Sequence, residues 1–283
     1  MPRDPRASGR FFPGLPYARL STTQKLDLYL PEAGDGPFPT VLYFHGGGFV
    51  RGSRRDANMA PILGCLERGF ALASVDYRLS GEALFPAAVQ DAKAAVRCLR
   101  ANAGRYGLDP DRIAVFGRSA GGYLTAMLAA TAGVSALSDL ALGHPDVSCA
   151  VQAAVDWFGP TDFKAMDDQA RANGFSLANH DPADSPESLF LGTPVQQADS
   201  AVLRLSNPVA HVGPDLPPIL IEHGSRDRLV PPAQSRILHE AIVARLGAGR
   251  DEFVVLEGAD HGGPSFETDE NLERVWSFLD RNL

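Results

Sequence analysis

Residues Ile113-Ala-Val-Phe-Gly117-Arg118-Ser119-Ala120-Gly121-Gly122 run from an apolar stretch through the pattern G-x-S-x-G into helix formers. Read as strand, sharp turn and helix, this segment puts Ser119 in a strained corner. Glycines are needed two residues to either side, because side chains there would collide. The corner lifts the hydroxyl above the C-terminal edge of a sheet, beside a helix N-terminus whose amides stabilise negative charge. That is the setting of a nucleophile for acyl transfer. The five-residue pattern is short enough to arise by chance, and its specificity comes from the strand before it and the helix after it. Acyl transfer develops an oxyanion, so donors must be fixed where that charge appears. His45-Gly46-Gly47-Gly48-Phe49 ends another apolar run, and its bare backbone can approach such a charge closely. The amides of Gly47, Gly48 and Ala120 are the natural donor set. A plain glycine turn is the bland alternative, disfavoured because the two motifs occur together. His45 reads as a residue that holds this loop, not as an acid or base.

A serine hydroxyl needs a base, and the base needs an orienting acid. Of seven histidines, His261 lies in Glu257-Gly-Ala-Asp-His261-Gly-Gly-Pro, directly after the last expected strand. His144, His180, His211 and His239 fall in polar loops or on a helix face and read as solvated. His223 ends a strand and reads as a packed, hydrogen-bonded neighbour. Three carboxylates compete for the acid's role. Asp260 adjoins His261, and adjacent loop side chains diverge. Asp162 follows the strand after the nucleophile's. Asp227 follows one strand later, in a turn stopped by Val230-Pro231, and is the expected acid. The chain order Ser119, Asp227, His261 is the one a nucleophile elbow calls for.

These residues need a scaffold, and the chain alternates short β-rich runs with longer helical patterns. Strands are predicted at 16–20, 25–30, 40–45, 70–76, 112–117, 151–157, 218–223 and 252–257, and helices at 86–103, 120–132, 232–246 and 269–283. Lys25-Leu-Asp-Leu-Tyr-Leu alternates polar and apolar, as a half-exposed antiparallel strand should. Thr40-Val-Leu-Tyr-Phe is continuously apolar after its first residue, as a strand buried on both faces should be. The pattern predicts an α/β fold: a mostly parallel eight-stranded sheet with helices on both faces. Residues 1–283 read as a single domain. Residues 163–212 break the rhythm with a polar stretch rich in Asn, Asp, Ser and Pro, expected to be a lid or binding insert. Within it, Ser185-Pro-Glu-Ser opening onto Leu189-Phe-Leu hints at a short helix.

Composition narrows the partners. The chain has 283 residues, 45% apolar and 21% charged, which excludes disorder and coiled coils, and its net charge of −8 argues against nucleic acid and anionic membranes. Cys65, Cys98 and Cys149 are too few and too scattered for a disulfide framework, and read as small buried hydrophobes rather than redox groups. No secretory signal or apolar run of about 18 residues is visible, so a cytoplasmic location is expected. H-E-x-x-H, C-x-x-C, P-loop and dinucleotide fingerprints are missing, so neither a metal nor a nucleotide cofactor is expected. Asp76, Arg78 and Asp91 read as one buried structural network. Oligomeric state is left open.

Taken together, the chain resembles the α/β-hydrolase superfamily, and within it the HGGG-type carboxylesterases that include feruloyl- and acetyl-esterase-like enzymes, related to hormone-sensitive-lipase-like esterases. The likeness covers most of the chain: His45-Gly-Gly-Gly, Val75-Asp-Tyr-Arg-Leu79, Phe85-Pro-Ala-Ala with Asp91, Gly117-Arg-Ser-Ala-Gly-Gly122, Pro217-Pro-Ile-Leu-Ile, His223-Gly with Asp227 and Val230-Pro, and Gly258-Ala-Asp-His-Gly262. The resemblance implies a triad of Ser119, Asp227 and His261 and oxyanion donors at Gly47, Gly48 and Ala120. Two features depart from it. Arg118 stands where an acidic residue or histidine is common, altering charge near the pocket floor, and the segment before the first strand is short, which favours the branch with a more open site. The expected function is hydrolysis of short-chain carboxylic esters on small molecules, through an acyl-enzyme. An amide hydrolase of the arylformamidase or acyl-aminoacyl peptidase type is the rival, and a non-catalytic small-ligand receptor on the same fold is a third reading. Nothing in the residues separates an acetylated sugar, a feruloyl ester or a xenobiotic ester.

Overall fold

The computed structural model describes residues 10–283. Strands β1 (Phe11–Pro16), β2 (Lys25–Tyr29), β3 (Phe38–Phe44), β4 (Ala71–Val75), β5 (Leu108–Arg118), β6 (Ala153–Trp157), β7 (Ile219–Gly224) and β8 (Asp251–Leu256) make one sheet in the order β1-β2-β4-β3-β5-β6-β7-β8. The pairs β1–β2 and β2–β4 are antiparallel and the rest are parallel, as the alternation predicted. Successive residues of a strand point to opposite faces, and here both faces are covered. Leu42 and Phe44 of β3 pack in one core with α1 (Ala87–Ala101), the short α2 (Ala103–Tyr106), α3 (Ala120–Ala130) and α7 (Ala233–Leu246). Val41 and Tyr43 pack in the other with the 310 helix Ala57–Arg68 and α8 (Asp269–Asn282). The five residues of β4 and of β6 are all buried, and their apolar runs are interrupted only by Ser74 and Asp156.

Four expectations are corrected. The first strand is Phe11–Pro16, earlier than 16–20; its two prolines are tolerated because β1 is the sheet's edge, and a bulge between Phe12 and Leu15 absorbs the irregular register. β2 is not half-exposed. Its polar residue, Asp27, is fully buried, and accepts from the Gly14 amide, Arg54 Nε at 2.8 Å and Arg55 Nε at 2.6 Å. The helix Ala57–Arg68 falls outside the predicted elements, although Asp56 caps its start and Gly69, at φ 81°, its end. Finally, Asp76, Arg78 and Asp91 belong to two networks. Arg78 grips Asp91 through Nε and Nη2, with Gln24 donating to the same carboxylate, whereas Asp76 pairs with Arg54. The cysteines are free, with Cys65 and Cys149 buried.

Residues 163–212 hold α4 (Met166–Asn173), α5 (Pro186–Leu191) and α6 (Ser200–Leu205), with 310 turns at Phe163–Ala165, Val195–Gln197 and Pro208–His211. The hint at Ser185 is met: its side chain accepts from the Ser188 amide and Pro186 occupies the first turn of α5. The segment buries Phe163, Met166, Phe190 and Val195. Phe190 stacks on Phe49 with ring centroids 4.1 Å apart, and both meet Tyr123 and Phe163. The insert is thereby anchored to the loop after β3.

Candidate active site

Ser119 sits between β5 and α3 at φ 56° and ψ −121°, a backbone conformation that side chains rarely adopt. The corner is closed by contact. A Cβ on Gly117 would lie 2.0 Å from the Gly121 carbonyl oxygen, and one on Gly121 would lie 2.0 Å from the Phe44 carbonyl oxygen. Only glycine fits at either place, so β3, the elbow and α3 can come together. The Ser119 amide is tied to the Trp157 carbonyl at 2.9 Å, which fixes the turn against β6.

His261 reaches this hydroxyl from the loop after β8. Its Nε2 is 2.9 Å from Ser119 Oγ, and its Nδ1 is 2.7 Å from Asp227 Oδ2. A carboxylate only accepts, so Nδ1 carries the proton and Nε2 is free to accept from the serine. The ring packs at 4.5 Å against Phe158, itself held at φ 46°. Asp227 is fully buried, and burial alone would raise its pKa. Hydrogen bonds from His223 and His261 outweigh that and hold it well below the usual carboxylate range. Its other oxygen accepts the amides of Leu229 at 2.8 Å and Val230 at 2.9 Å.

The rival carboxylates are elsewhere. Asp260 turns away from the imidazole and braces Arg228 Nε at 2.6 Å, and Asp162 caps a 310 turn by accepting the Lys164 amide. His45 is buried, stacked at 4.4 Å on Tyr77, with Nδ1 against the Gly46 carbonyl, and burial lowers its pKa. It holds the loop, as read from the sequence. Gly47 is at φ 116°, where a Cβ would collide with the Arg51 carbonyl. The amides of Gly47, Gly48 and Ala120 have no acceptor among the described residues. These three glycine-loop and elbow residues therefore border the serine with free donors.

Ser119, His261, Gly47 and Gly48 line a cavity of about 530 Å³. Arg118 lines it too, 7% exposed, with Nη1 donating to the Asn58 carbonyl at 2.9 Å and its guanidinium over the Trp157 and Phe158 rings. His223, read from the sequence as a packed, hydrogen-bonded neighbour, is one, with Nε2 3.2 Å from Asp227 Oδ2. Sequence reasoning missed two other residues of the cavity. Phe158 carries no motif. His180, expected to be solvated, is buried against Glu187 in the cavity wall, because the insert folds over it. The other histidines read as solvated differ among themselves. His144 is exposed, His211 meets the Leu205 carbonyl, and His239 pairs with Asp251 at 2.6 Å.

The family model BD-FAE matches residues 26–242, more than half of the chain. The chain belongs to the BD-FAE family. Esterase LipC of Mycobacterium tuberculosis is 31% identical to this BD-FAE member over 228 residues, covering 80% of this chain and 53% of LipC. The chain spans about half the length of the curated relatives it matches. Among solved structures, a truncated form of a carbohydrate esterase from gut microbiota superposes with a TM-score of 0.83 at 30% identity, covering 96% of this chain and 95% of that one. A thermophilic esterase from the Planctomycetes species Thermogutta terrifontis, bound to butyrate, superposes with a TM-score of 0.72 at 27% identity, covering 94% and 92%. The same esterase has been solved phosphonylated by sarin. The BD-FAE chain has the α/β-hydrolase fold of these neighbours. Among the described residues no helix is long and apolar enough to cross a membrane.

Proposed function

We propose that this BD-FAE chain is a carboxylic ester hydrolase, one domain in which Ser119, His261 and Asp227 are the catalytic triad and residues 163–212 form a wall over the site. The observation that carries the reading is His261 set between Asp227 and Ser119 at 2.7 and 2.9 Å, with the serine on a strained elbow. In the first step Ser119 Oγ attacks the acyl carbon while His261 Nε2 takes its proton. Asp227 keeps Nδ1 protonated and stabilises the imidazolium that forms. The free amides of Gly47, Gly48 and Ala120 receive the oxyanion; one such donor is worth about 10²–10³ in rate. Collapse expels the alcohol, which takes the proton from Nε2. Water then repeats the sequence on the acyl-enzyme and releases the acid. The identity of the relatives as esterases supports an ester over an amide.

Short acyl groups fit this cavity best, because polar groups such as Asn179, His180 and Glu187 occupy a wall that a long chain needs to be apolar, at ~0.8 kcal/mol per CH₂. A four-carbon p-nitrophenyl ester is expected to show a higher kcat/KM than a twelve-carbon one; the reverse order would sink this part of the reading. The nucleophile is tested by mass spectrometry after a fluorophosphonate: a single adduct on Ser119 is expected. Ser119→Ala should abolish the adduct and lower kcat by a factor on the order of 10⁴–10⁶ without unfolding the chain. Retention of a tenth of the wild-type kcat would mean that another group attacks.

A further inference from the structure

The insert does more to the cavity than cover it. His180, in the loop after α4, and Glu187, in the first turn of α5, line the same cavity as Ser119 and His261, yet only 6% and 5% of their surfaces are exposed. They face each other, with His180 Nδ1 3.2 Å from Glu187 Oε2. Their places are built by the surrounding chain. Asp167 accepts the His180 amide at 2.8 Å, and the Ser185 hydroxyl that caps α5 lies 2.6 Å from the His180 carbonyl, to which it donates. Burying such a pair is costly, and no step of the ester hydrolysis above uses it.

Its hydrogen bonding is incomplete. Buried polar groups are nearly always paired, and an exception calls for an explanation. Both ring nitrogens of His180 and the Oε2 of Glu187 are buried without a well-aligned hydrogen bond, and Glu187 Oε1 accepts none from the described residues. The carboxylate therefore has unused acceptor capacity at the cavity wall. Burial disfavours the imidazolium of His180, but Glu187, with Asp167 and the Leu229 backbone, outweighs this and raises its pKa, and Nδ1 at 3.2 Å already stands beside Glu187 Oε2. An acceptor compensated in this way suits a neutral donor better than a second cation.

We propose that Glu187, held in place by His180, is a hydroxyl subsite that accepts a hydrogen bond from a hydroxyl group of the ester substrate. The proposal rests on the esterase reading of the same cavity. The hydroxyl can belong to the acyl half or to the alcohol half, and two matched pairs separate these sources: methyl 3-hydroxybutyrate against methyl butyrate, and 2,3-dihydroxypropyl acetate against propyl acetate. The full chain is assayed for kcat/KM on all four, beside Glu187→Ala and Glu187→Gln.

Wild type is expected to favour the hydroxylated member of one pair roughly ten- to hundredfold, the range of a hydrogen bond to a charged group, and the responding pair names the half. Glu187→Ala should shrink that preference to within about threefold. Glu187→Gln, which keeps an acceptor oxygen without the charge, should fall between them and serves alone should the alanine variant fail to fold. Equal kcat/KM within both pairs, or a preference that survives both variants, overturns the subsite and leaves the esterase reading standing. A higher kcat/KM on acetylcholine than on either hydroxylated ester overturns the choice of a neutral donor. No hydrolysis of any ester and no fluorophosphonate adduct on Ser119 would overturn both readings.

Discussion

Asp227 meets more groups than the acid of a triad needs. Two imidazoles, His261 and His223, converge on Oδ2, while two amides satisfy Oδ1. Every neighbour is a donor, which is why the carboxylate stays ionised despite full burial. Asp227→Asn keeps the shape but turns an amide's hydrogens toward those donors and removes the charge that selects the productive imidazole tautomer. We expect kcat to fall by ~10³–10⁴ at pH 7. Asp162→Asn should cost at most about tenfold, since its carboxylate only caps a 310 turn. Steady-state kinetics of the two variants side by side decide the matter. A severe loss at Asp162 with a mild one at Asp227 would reverse the assignment of the acid.

At the scale of elements, the insert spans the two loops that carry the site. On one side Ser176 Oγ donates to the Asp227 carbonyl at 2.7 Å and the Leu177 amide to the Arg228 carbonyl at 2.8 Å. On the other, a Cβ at Gly48 would come within 3.0 Å of Pro186, and Phe190 stacks on Phe49. The glycine loop after β3 and the loop that carries Asp227 are thus clamped by one segment whose own helices are too short to be stable alone. Phe190, 1% exposed, is its main apolar anchor. Truncating a buried phenylalanine costs ~3–5 kcal/mol, so Phe190→Ala should lower the melting temperature by on the order of 5–10 °C. It should also raise KM for a butyrate ester as the wall over Gly48 loosens. An unchanged melting temperature would show that the insert is held by other contacts.

Over the whole molecule, several buried ionisable groups stand outside the proposed triad and set how stability varies with pH. Asp156, fully buried beneath the elbow, accepts from the Gly159 amide through Oδ1, while Oδ2 has no hydrogen-bond partner among the described residues; burial pushes its pKa up to about 6. Burial likewise lifts Glu222 to about 7. A carboxyl whose folded pKa is raised is protonated more readily folded than unfolded. Its contribution is present below the unfolded value and is lost as pH rises through the folded one, so these two groups lower stability between about pH 4 and 7. Lys93, buried and donating to the Val134 carbonyl and to Ser138, is lowered to about 8 by burial, and its folded form resists protonation. Stability from this group rises with pH from about 8 toward 10.5. Asp156→Asn keeps the Gly159 bond and removes the ionisation. Its melting temperature should gain on wild type between pH 5 and 7, by an amount on the order of 1–3 kcal/mol in stability at pH 7. A difference that does not vary with pH would show that Asp156 stays in one protonation state.

The strained elbow at Ser119 and the glycine loop beside it were legible from residues alone, because their information is local. A strained serine and a backbone that must approach another backbone both demand glycine at fixed short spacings, and Gly117, Gly121 and Gly47 stand there. The parallel sheet was legible for a similar reason, since strands buried on both faces write continuous apolar runs. The edge strand wrote none, and its place was decided by pairing with β2 through a bulge. The partnership of His261 with Asp227, 34 residues apart, and with Ser119, 142 residues apart, was narrowed by chain order but decided only in three dimensions. The parallel register of β7 with β8, running from Ile219 opposite Asp251 to Gly224 opposite Leu256, brings the two following loops out at one height above the sheet. Nothing local to residues 176–190 announces that His180 and Glu187 are buried. Their polar types read as surface until the tertiary fold lays the insert across the cavity, where burial and an unsatisfied hydrogen bond turn two ordinary residues into a wall of the site.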